Sequence, residues 1–215
     1  MTSPHMPSPK TLLDFAGAGW PPARLEDAVL LVIDHQREYT EGKLPLDGID
    51  AAVAAIARLQ QAVREAGAPI IHVAQNGRPG GALFDPDGPM VAFIDGTAPV
   101  CGETVVKKSL PNAFAHTVLD ARLKAIGRTD LIIAGFMAHM CVSATSRSAL
   151  DHGYRVTIAA DATATRDLPD GWGGAMPAAT VKRVALAELG DRFARVVSSL
   201  VPVQNALRPR GVTMV

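Results

Sequence analysis

Three side chains of this 215-residue chain could do chemistry together, and each follows an apolar run. Asp34 comes straight after "AVLLVI", Lys108 closes "ETVVKK", and Cys141 lies just beyond the glycine that ends "DLIIAG". A cysteine of ordinary pKa is mostly thiol at neutral pH, whereas one at a helix N-terminus beside a cation gains thiolate character. Cys141 opens a helical pattern, and Lys108 could supply the charge. Asp34 beside them could accept the thiol proton and later return it to a leaving group. Backbone amides at the start of that helix, including the amide of Cys141, would face a developing oxyanion. Such a set suits acyl transfer through a thioester. Taken singly, each residue has a plainer reading: free cysteine is among the most buried residue types, an aspartate after a strand caps a turn, and a lysine is solvated.

The elements that must bring these residues together are written in the hydrophobic pattern. Ala28 to Ile33 is a continuous apolar run of the kind found in parallel strands covered on both faces. Ile49, Val53, Ile56, Leu59 and Val63 recur at three- and four-residue steps, giving a helix that closes at Gly67. Pro69 to Ala74 reads as a strand, as do the runs ending at Lys108 and Gly135. Phe114, Val118, Leu119, Leu123 and Ile126 predict a helix that stops at Gly127, and Cys141 to His152 a helix closed by Gly153. "YRVTIAA", Val181 to Leu189 and "FARVV" add a strand, a helix and a last strand. Alternating strands and helices imply right-handed crossovers and a parallel sheet with helices on both faces. Ligands of such sheets bind beyond the carboxyl ends of the strands, where Asp34, Lys108 and Cys141 would all lie. Residues 1–27, with Pro4, Pro7, Pro9, Pro21 and Pro22, read as an irregular lead-in, and 28–215 as one domain. The Gly- and Pro-rich stretch from Asn76 to Gly102 is longer than an ordinary connection and is expected to carry binding surface, with Phe84 and Phe93 in a lid or a subunit contact. "DGWGGAMP" around Trp172 is expected to be a flexible loop near the same edge.

Composition narrows the partners. With 48% hydrophobic and only 5% aromatic residues, the core is built from Ala, Val, Leu and Ile. Twenty-one basic and 21 acidic side chains cancel and form no basic block, so a nucleic-acid partner is not expected. No apolar run approaches the ~20 residues that span a bilayer, so no membrane partner is expected either. Two cysteines, Cys101 and Cys141, with nothing resembling a signal peptide ahead of them, point to free thiols and a cytoplasmic setting.

Whole segments sharpen the reading. "LLVIDHQREY", "VVKKSLPNAFAHTVLD" and "LIIAGFMAHMCVSATSRSALDHGYRVTIAADATAT" resemble, in this order, the three signature regions of the isochorismatase-like cysteine hydrolases, a likeness running from about Ala28 to Val197. The resemblance implies an α/β fold, a three-layer αβα sandwich around a six-stranded, mostly parallel, Rossmann-like sheet. It implies Asp34 as general base and acid, Lys108 rather than Lys107 as the polarising cation, and Cys141 as nucleophile. It also implies a cis peptide that turns an amide toward the oxyanion, expected between Met137 and Ala138. Phe114 is implied to wall the substrate.

The chain departs from the family pattern in three places. Ala138 stands where many members have threonine. His139 is an unusual polar neighbour that could contact substrate or serve the structure. "HVAQNGRPGG" replaces the Asp-x-His metal motif of nicotinamidases, so no catalytic metal and no cofactor are expected, and nicotinamide is disfavoured. Gln36 and Asn112 could hydrogen-bond a ligand carbonyl or amide, with a capping or turn role for Asn112 as the alternative. Since vinyl ether hydrolysis needs an acid such as Asp34 but no sulfur, the cysteine favours hydrolysis of an amide or carbamoyl C–N bond in a small, neutral or weakly anionic molecule. Isochorismatase-type ether hydrolysis and a non-catalytic or redox thiol protein on the same fold are the alternatives. Family members often associate, so a homo-oligomer, dimer or tetramer, is expected.

Overall fold

A strand with no polar face has to be covered on both sides, and Ala28–Ile33 (β1) is buried at every position in the middle of a parallel sheet. The computed structural model describes residues 8–201; the start of the lead-in, with Pro4 and Pro7, and residues 202–215 lie outside the described residues. Around β1 the chain runs through a short helix α1 (Leu12–Phe15) before it, then α2 (Ile49–Glu65), β2 (Ile70–Gln75), β3 (Thr104–Lys108), α3 (Leu119–Ile126) and β4 (Asp130–Phe136). It continues through α4 (Ser143–Asp151), β5 (Arg155–Ala164), a small hairpin of β6 (Leu168–Pro169) and β7 (Ala175–Met176), α5 (Ala178–Arg192) and β8 (Arg195–Val197).

The sheet has six strands in the order β3-β2-β1-β4-β5-β8, and every pairing is parallel. Successive side chains of a strand point to opposite faces. Leu30 and Val32 therefore pack with Ile56 and Leu59 of α2, while Val29, Leu31 and Ile33 pack with Leu119 and Leu123 of α3, Ala149 of α4 and Leu189 of α5. This is the expected three-layer αβα sandwich. Burying each such leucine or isoleucine is worth about 1.5–3 kcal/mol, so β1 contributes to both halves of the core.

The elements differ from the sequence reading in a few places, each with a local cause. The helix expected from Phe114 starts only at Leu119, because Asn112 Oδ1 accepts from the Phe114 amide, Thr117 Oγ1 accepts from the Leu119 amide, and His116 has a left-handed φ of 57°. The helix expected from Cys141 starts at Ser143. Cys141 itself sits in the wide turn Ala138–Val142, whose Met140 and Val142 amides both donate to the Met137 carbonyl. The described part of the lead-in is partly ordered. A Thr11–Asp14 capping box opens α1, the Trp20 indole N–H donates to the Val156 carbonyl at 3.1 Å, and the Ala23 amide donates to Thr157 Oγ1 at 2.9 Å. Trp172 is in the loop at the tip of the β6–β7 hairpin, with Asp170 Oδ1 accepting from the Trp172 and Gly174 amides.

Candidate active site

Parallel strands end together, and the register places Ile33 beside Val73 and Gly135, and Lys108 beside Gln75. Asp34 is the residue after β1, and its amide donates to the Val73 carbonyl at 2.8 Å. With φ at 51° it occupies the left-handed region, which aspartate tolerates better than most residues. Lys108 is the last residue of β3. Pleating turns it inward and its neighbour Lys107 outward, so Lys108 is buried and Lys107 exposed. Beyond β4, Gly135 has φ of 111°, and a Cβ there would lie 2.0 Å from the Ile33 carbonyl oxygen. Only glycine allows β4 to approach β1 so closely before the chain turns into Ala138–Val142.

The three sequence-identified residues meet. Lys108 Nζ lies 2.7 Å from Asp34 Oδ2 and 3.3 Å from Cys141 Sγ. Its third contact is one the sequence reading passed over: Gln75 Oε1, at 2.6 Å. Gln75 ends β2 at the same edge as the other three, and that position is the signal that could have found it. Asp34 is fully buried, Lys108 3% exposed and Cys141 6% exposed, so Cys141 is the least buried of the three. Neither Asp34 oxygen has a partner of hydrogen-bonding geometry, Oδ2 being held by the Lys108 ion pair alone.

The electrostatics alter the expected state of the nucleophile. Burial pushes the Cys141 thiol up to about 12, Asp34 pushes the same way, and together they outweigh the attraction of Lys108. Cys141 therefore rests as a thiol, not as the thiolate expected from a helix start beside a cation. Burial also raises Asp34 above the ordinary carboxylate range, against the opposing pull of Lys108, the thiol and the Gln75 amide. A carboxylate of raised basicity next to a thiol that holds its proton places a base beside an acid.

The other expected contacts fall differently. The cis peptide is Phe136–Met137, one bond earlier than the expected Met137–Ala138; Met137 is extended at φ −85° and ψ 147°, and its carbonyl caps the following turn. Ala138 is fully buried in that turn. Gln36 is also fully buried, and its amide is taken up by the chain itself. Oε1 accepts from the Gln75 amide at 2.8 Å, and Nε2 donates to the Gln75 and Val91 carbonyls at 3.0 and 2.7 Å. It ties the end of β2 to the long loop and has no free donor for a substrate. Asn112 makes the turn bond to Phe114 described above. Phe114 belongs to the same buried cluster as Cys141, with its ring stacked on His152 at 4.6 Å. His139 pairs through Nδ1 with the Thr165 hydroxyl and lines a cavity of about 300 Å³ with Met176, Val181 and Val184. Neither Asp34, Lys108 nor Cys141 lines that cavity. Phe84 packs on Tyr39, and Phe93 stacks on His35, so both loop aromatics are fastened to their own chain. Among the described residues no group of three or more His, Cys, Asp or Glu side chains could hold a metal ion, and no helix is long and apolar enough to cross a membrane.

A family model, "Isochorismatase domain", matches the chain over residues 28–199. The chain belongs to the isochorismatase family. Its members are hydrolases, with amidohydrolases among them. The crystal structure of an isochorismatase from Pseudomonas putida KT2440 is 48% identical and superimposes with a TM-score of 0.85, over 87% of this chain and 96% of that one. The secreted isochorismatase effector of Verticillium dahliae is 40% identical over 183 residues, 84% of this chain and 94% of its own length. A streptothricin hydrolase of Streptomyces noursei is 36% identical over 183 residues, 84% of this chain and 72% of its own. With a secreted relative at that similarity, family membership does not carry the cytoplasmic setting expected from the sequence.

Proposed function

We propose that this isochorismatase-family hydrolase cleaves an amide or carbamoyl C–N bond of a small molecule through a thioester on Cys141. The observation that carries the reading is the contact of Lys108 Nζ with both Asp34 and Cys141 Sγ, at 2.7 and 3.3 Å, inside a buried site. Asp34 takes the thiol proton as Sγ attacks the carbonyl carbon. The oxyanion that forms meets Lys108 and amides of the Ala138–Val142 turn, that of Cys141 among them. As the C–N bond breaks, Asp34 returns the proton to nitrogen and ammonia or an amine leaves. Water then attacks the thioester carbon, again giving its proton to Asp34. The C–S bond breaks, and proton return from Asp34 restores the thiol while the acid departs. Because the thiol starts with its proton, the base is needed in the attacking step and not only in product release.

The test is ammonia or amine release by the intact chain and by Cys141→Ala across a panel of small primary amides and carbamoyl compounds. Release by the native chain alone is the expected result. Turnover of isochorismate that survives Cys141→Ala, with no amide cleaved, would replace the proposal with ether hydrolysis driven by Asp34 as acid. A chain that turns over neither class would be the non-catalytic thiol protein.

A further inference from the structure

Lys108 reaches the reacting atoms on a flexible stem, and an ammonium is a point charge with three rotatable donors. Its direction has to be fixed from outside. Of its three contacts, the one with Asp34 Oδ2 at 2.7 Å is an ion pair without hydrogen-bonding geometry, which sets a distance but no direction. The two with that geometry are Gln75 Oε1 at 2.6 Å and Cys141 Sγ at 3.3 Å. Gln75 Oε1 is therefore the only oxygen that directs the ammonium, among the described residues, and the sulfur is the atom the ammonium is directed to.

The place of Gln75 is itself fixed by its backbone. It ends β2 in register with Lys108, and the Asn76 amide donates to the Lys108 carbonyl at 2.8 Å. Gln36 grips it from β1's side, Oε1 accepting from the Gln75 amide and Nε2 donating to the Gln75 carbonyl. An ammonium has only donors, so Oε1 is the end of the Gln75 side chain that faces it, while Nε2 donates to the Asn76 carbonyl at 3.3 Å. The neighbouring polar cluster on β2 takes no part in this. There His35 Nδ1 pairs with Thr97 Oγ1 and Nε2 with His72 Nδ1, each at 3.0 Å, and His72 Nε2 pairs with Glu103, which both arms of Arg64 hold. That histidine relay is closed, whereas Gln75 spends its oxygen on a reacting group.

We propose that Gln75 is a positioning residue of the active site, whose side-chain oxygen aims the Lys108 ammonium at Cys141 Sγ. The inference rests on the reading of Asp34, Lys108 and Cys141 as the reacting set. A neutral acceptor suits the task. It holds one N–H without cancelling the positive charge that a forming thiolate and oxyanion need, whereas a second carboxylate would compete with both for Lys108. As Sγ bonds to carbon it ceases to accept, and the N–H aimed at it is released to the oxygen on that same carbon while Gln75 keeps the ammonium in place. Because Gln36 grips only the Gln75 backbone, the side chain can be changed without undoing that grip. Gln75 is also only half-buried, so the site can be altered there without opening the core.

The first test needs no substrate, so its failure is separate from failure of the proposed reaction. Intact native, Gln75→Met and Gln75→Glu chains are treated with iodoacetamide, and labelling is followed by peptide mass spectrometry, with exposed Cys101 as the reference within each molecule. Gln75→Met keeps the length of the side chain but removes the oxygen acceptor. Its Cys141 labelling at pH 8 should fall about tenfold relative to Cys101, the scale of one lost hydrogen bond to a charged group. A role in packing alone predicts the opposite sign, because a loosened site admits the reagent faster. Gln75→Glu keeps the reach and the acceptor but sets a second negative charge against Lys108. That charge opposes thiolate formation, so the rise of Cys141 labelling with pH should move to higher pH. With an amide that turns over, Gln75→Met should lower kcat by a similar factor and change KM by less than about threefold. Cys141 labelled in folded Gln75→Met as fast as in the native chain or faster would overturn the assignment, and so would a folded Gln75→Glu chain labelled with the native pH dependence.

Discussion

Two buried polar clusters grow from adjacent residues, Asp34 and His35, and they are built on opposite terms. Around His35 every ring nitrogen has a partner, and the end of the chain of contacts is neutralised by Glu103 and Arg64. Around Asp34 neither carboxylate oxygen has a partner of hydrogen-bonding geometry, Oδ2 being held only by its ion pair with Lys108, and a thiol is kept protonated within reach of a base. Buried polar groups are ordinarily satisfied, and an unsatisfied one costs about 1–3 kcal/mol. The first cluster follows that rule and supports the structure; the second breaks it at the atom a reaction would use. Incomplete satisfaction, more than charge or burial, separates the reacting cluster from its neighbour.

The sharpest way to break this contrast is to remove a member of the reacting set. Cys141→Ala should lower turnover on the order of 10⁴-fold or more, and Asp34→Asn comparably, because residues acting as a unit fail together. Circular dichroism should show both folded. Residual activity above one per cent in a folded Cys141→Ala chain would put the reaction outside the sulfur.

Next in size is Gly135→Ala. Its new methyl would meet the Ile33 backbone in a conformation that side chains avoid, so unfolding stability should fall by about 3 kcal/mol or more, read from urea titration. Loss below 0.5 kcal/mol would show that β1 and β4 can separate.

In the satisfied cluster, Glu103→Gln should cost about 1–3 kcal/mol near neutral pH. Burial favours protonation of Glu103, but Arg64, the Val100 amide and His72 outweigh it and hold the carboxyl down at about 2. A depressed folded pKa gives stability that is present above the unfolded value of 4.5 and is lost as pH falls from there toward 2. The difference between native and Glu103→Gln chains in urea should therefore shrink over that window. A constant difference would separate Glu103 from the ion pair and the histidine relay.

The smallest effect belongs to Lys107→Ala. Lys107 is adjacent in sequence to the buried cation but points to solvent, so activity and stability should stay within about twofold and 0.5 kcal/mol. A large loss would mean that the assignment of Lys108 is one residue out.

Much of this was legible in the residues. The unbroken run before Asp34, the alternation in "ETVVKK" and the glycine after "DLIIA" carry the strand order of events, and the carboxyl-edge rule then gathers Asp34, Lys108 and Cys141 without any structure. What the sequence withheld depends on distant partners. Gln36 looked like a ligand donor because its bonds to Gln75 and Val91 span 39 and 55 residues. The helix at Phe114 failed because Asn112 and Thr117 compete locally for backbone amides. The thiolate expected at Cys141 failed because helix position and a cation can be read from spacing, whereas the depth of burial that outweighs them cannot.

The central claim is that the Cys141 thiol passes its proton to Asp34 as it forms a bond to carbon. The most direct measurement is intact-protein mass spectrometry, with peptide mapping, of the native, Cys141→Ala and Asp34→Asn chains quenched in acid during incubation with the amide that turns over. An acyl adduct on Cys141 in the native chain, absent from Cys141→Ala and at most trace in Asp34→Asn, is the expected result. Full adduct formation in Asp34→Asn at the native rate, or turnover with no adduct on Cys141 at any quench time, would contradict it.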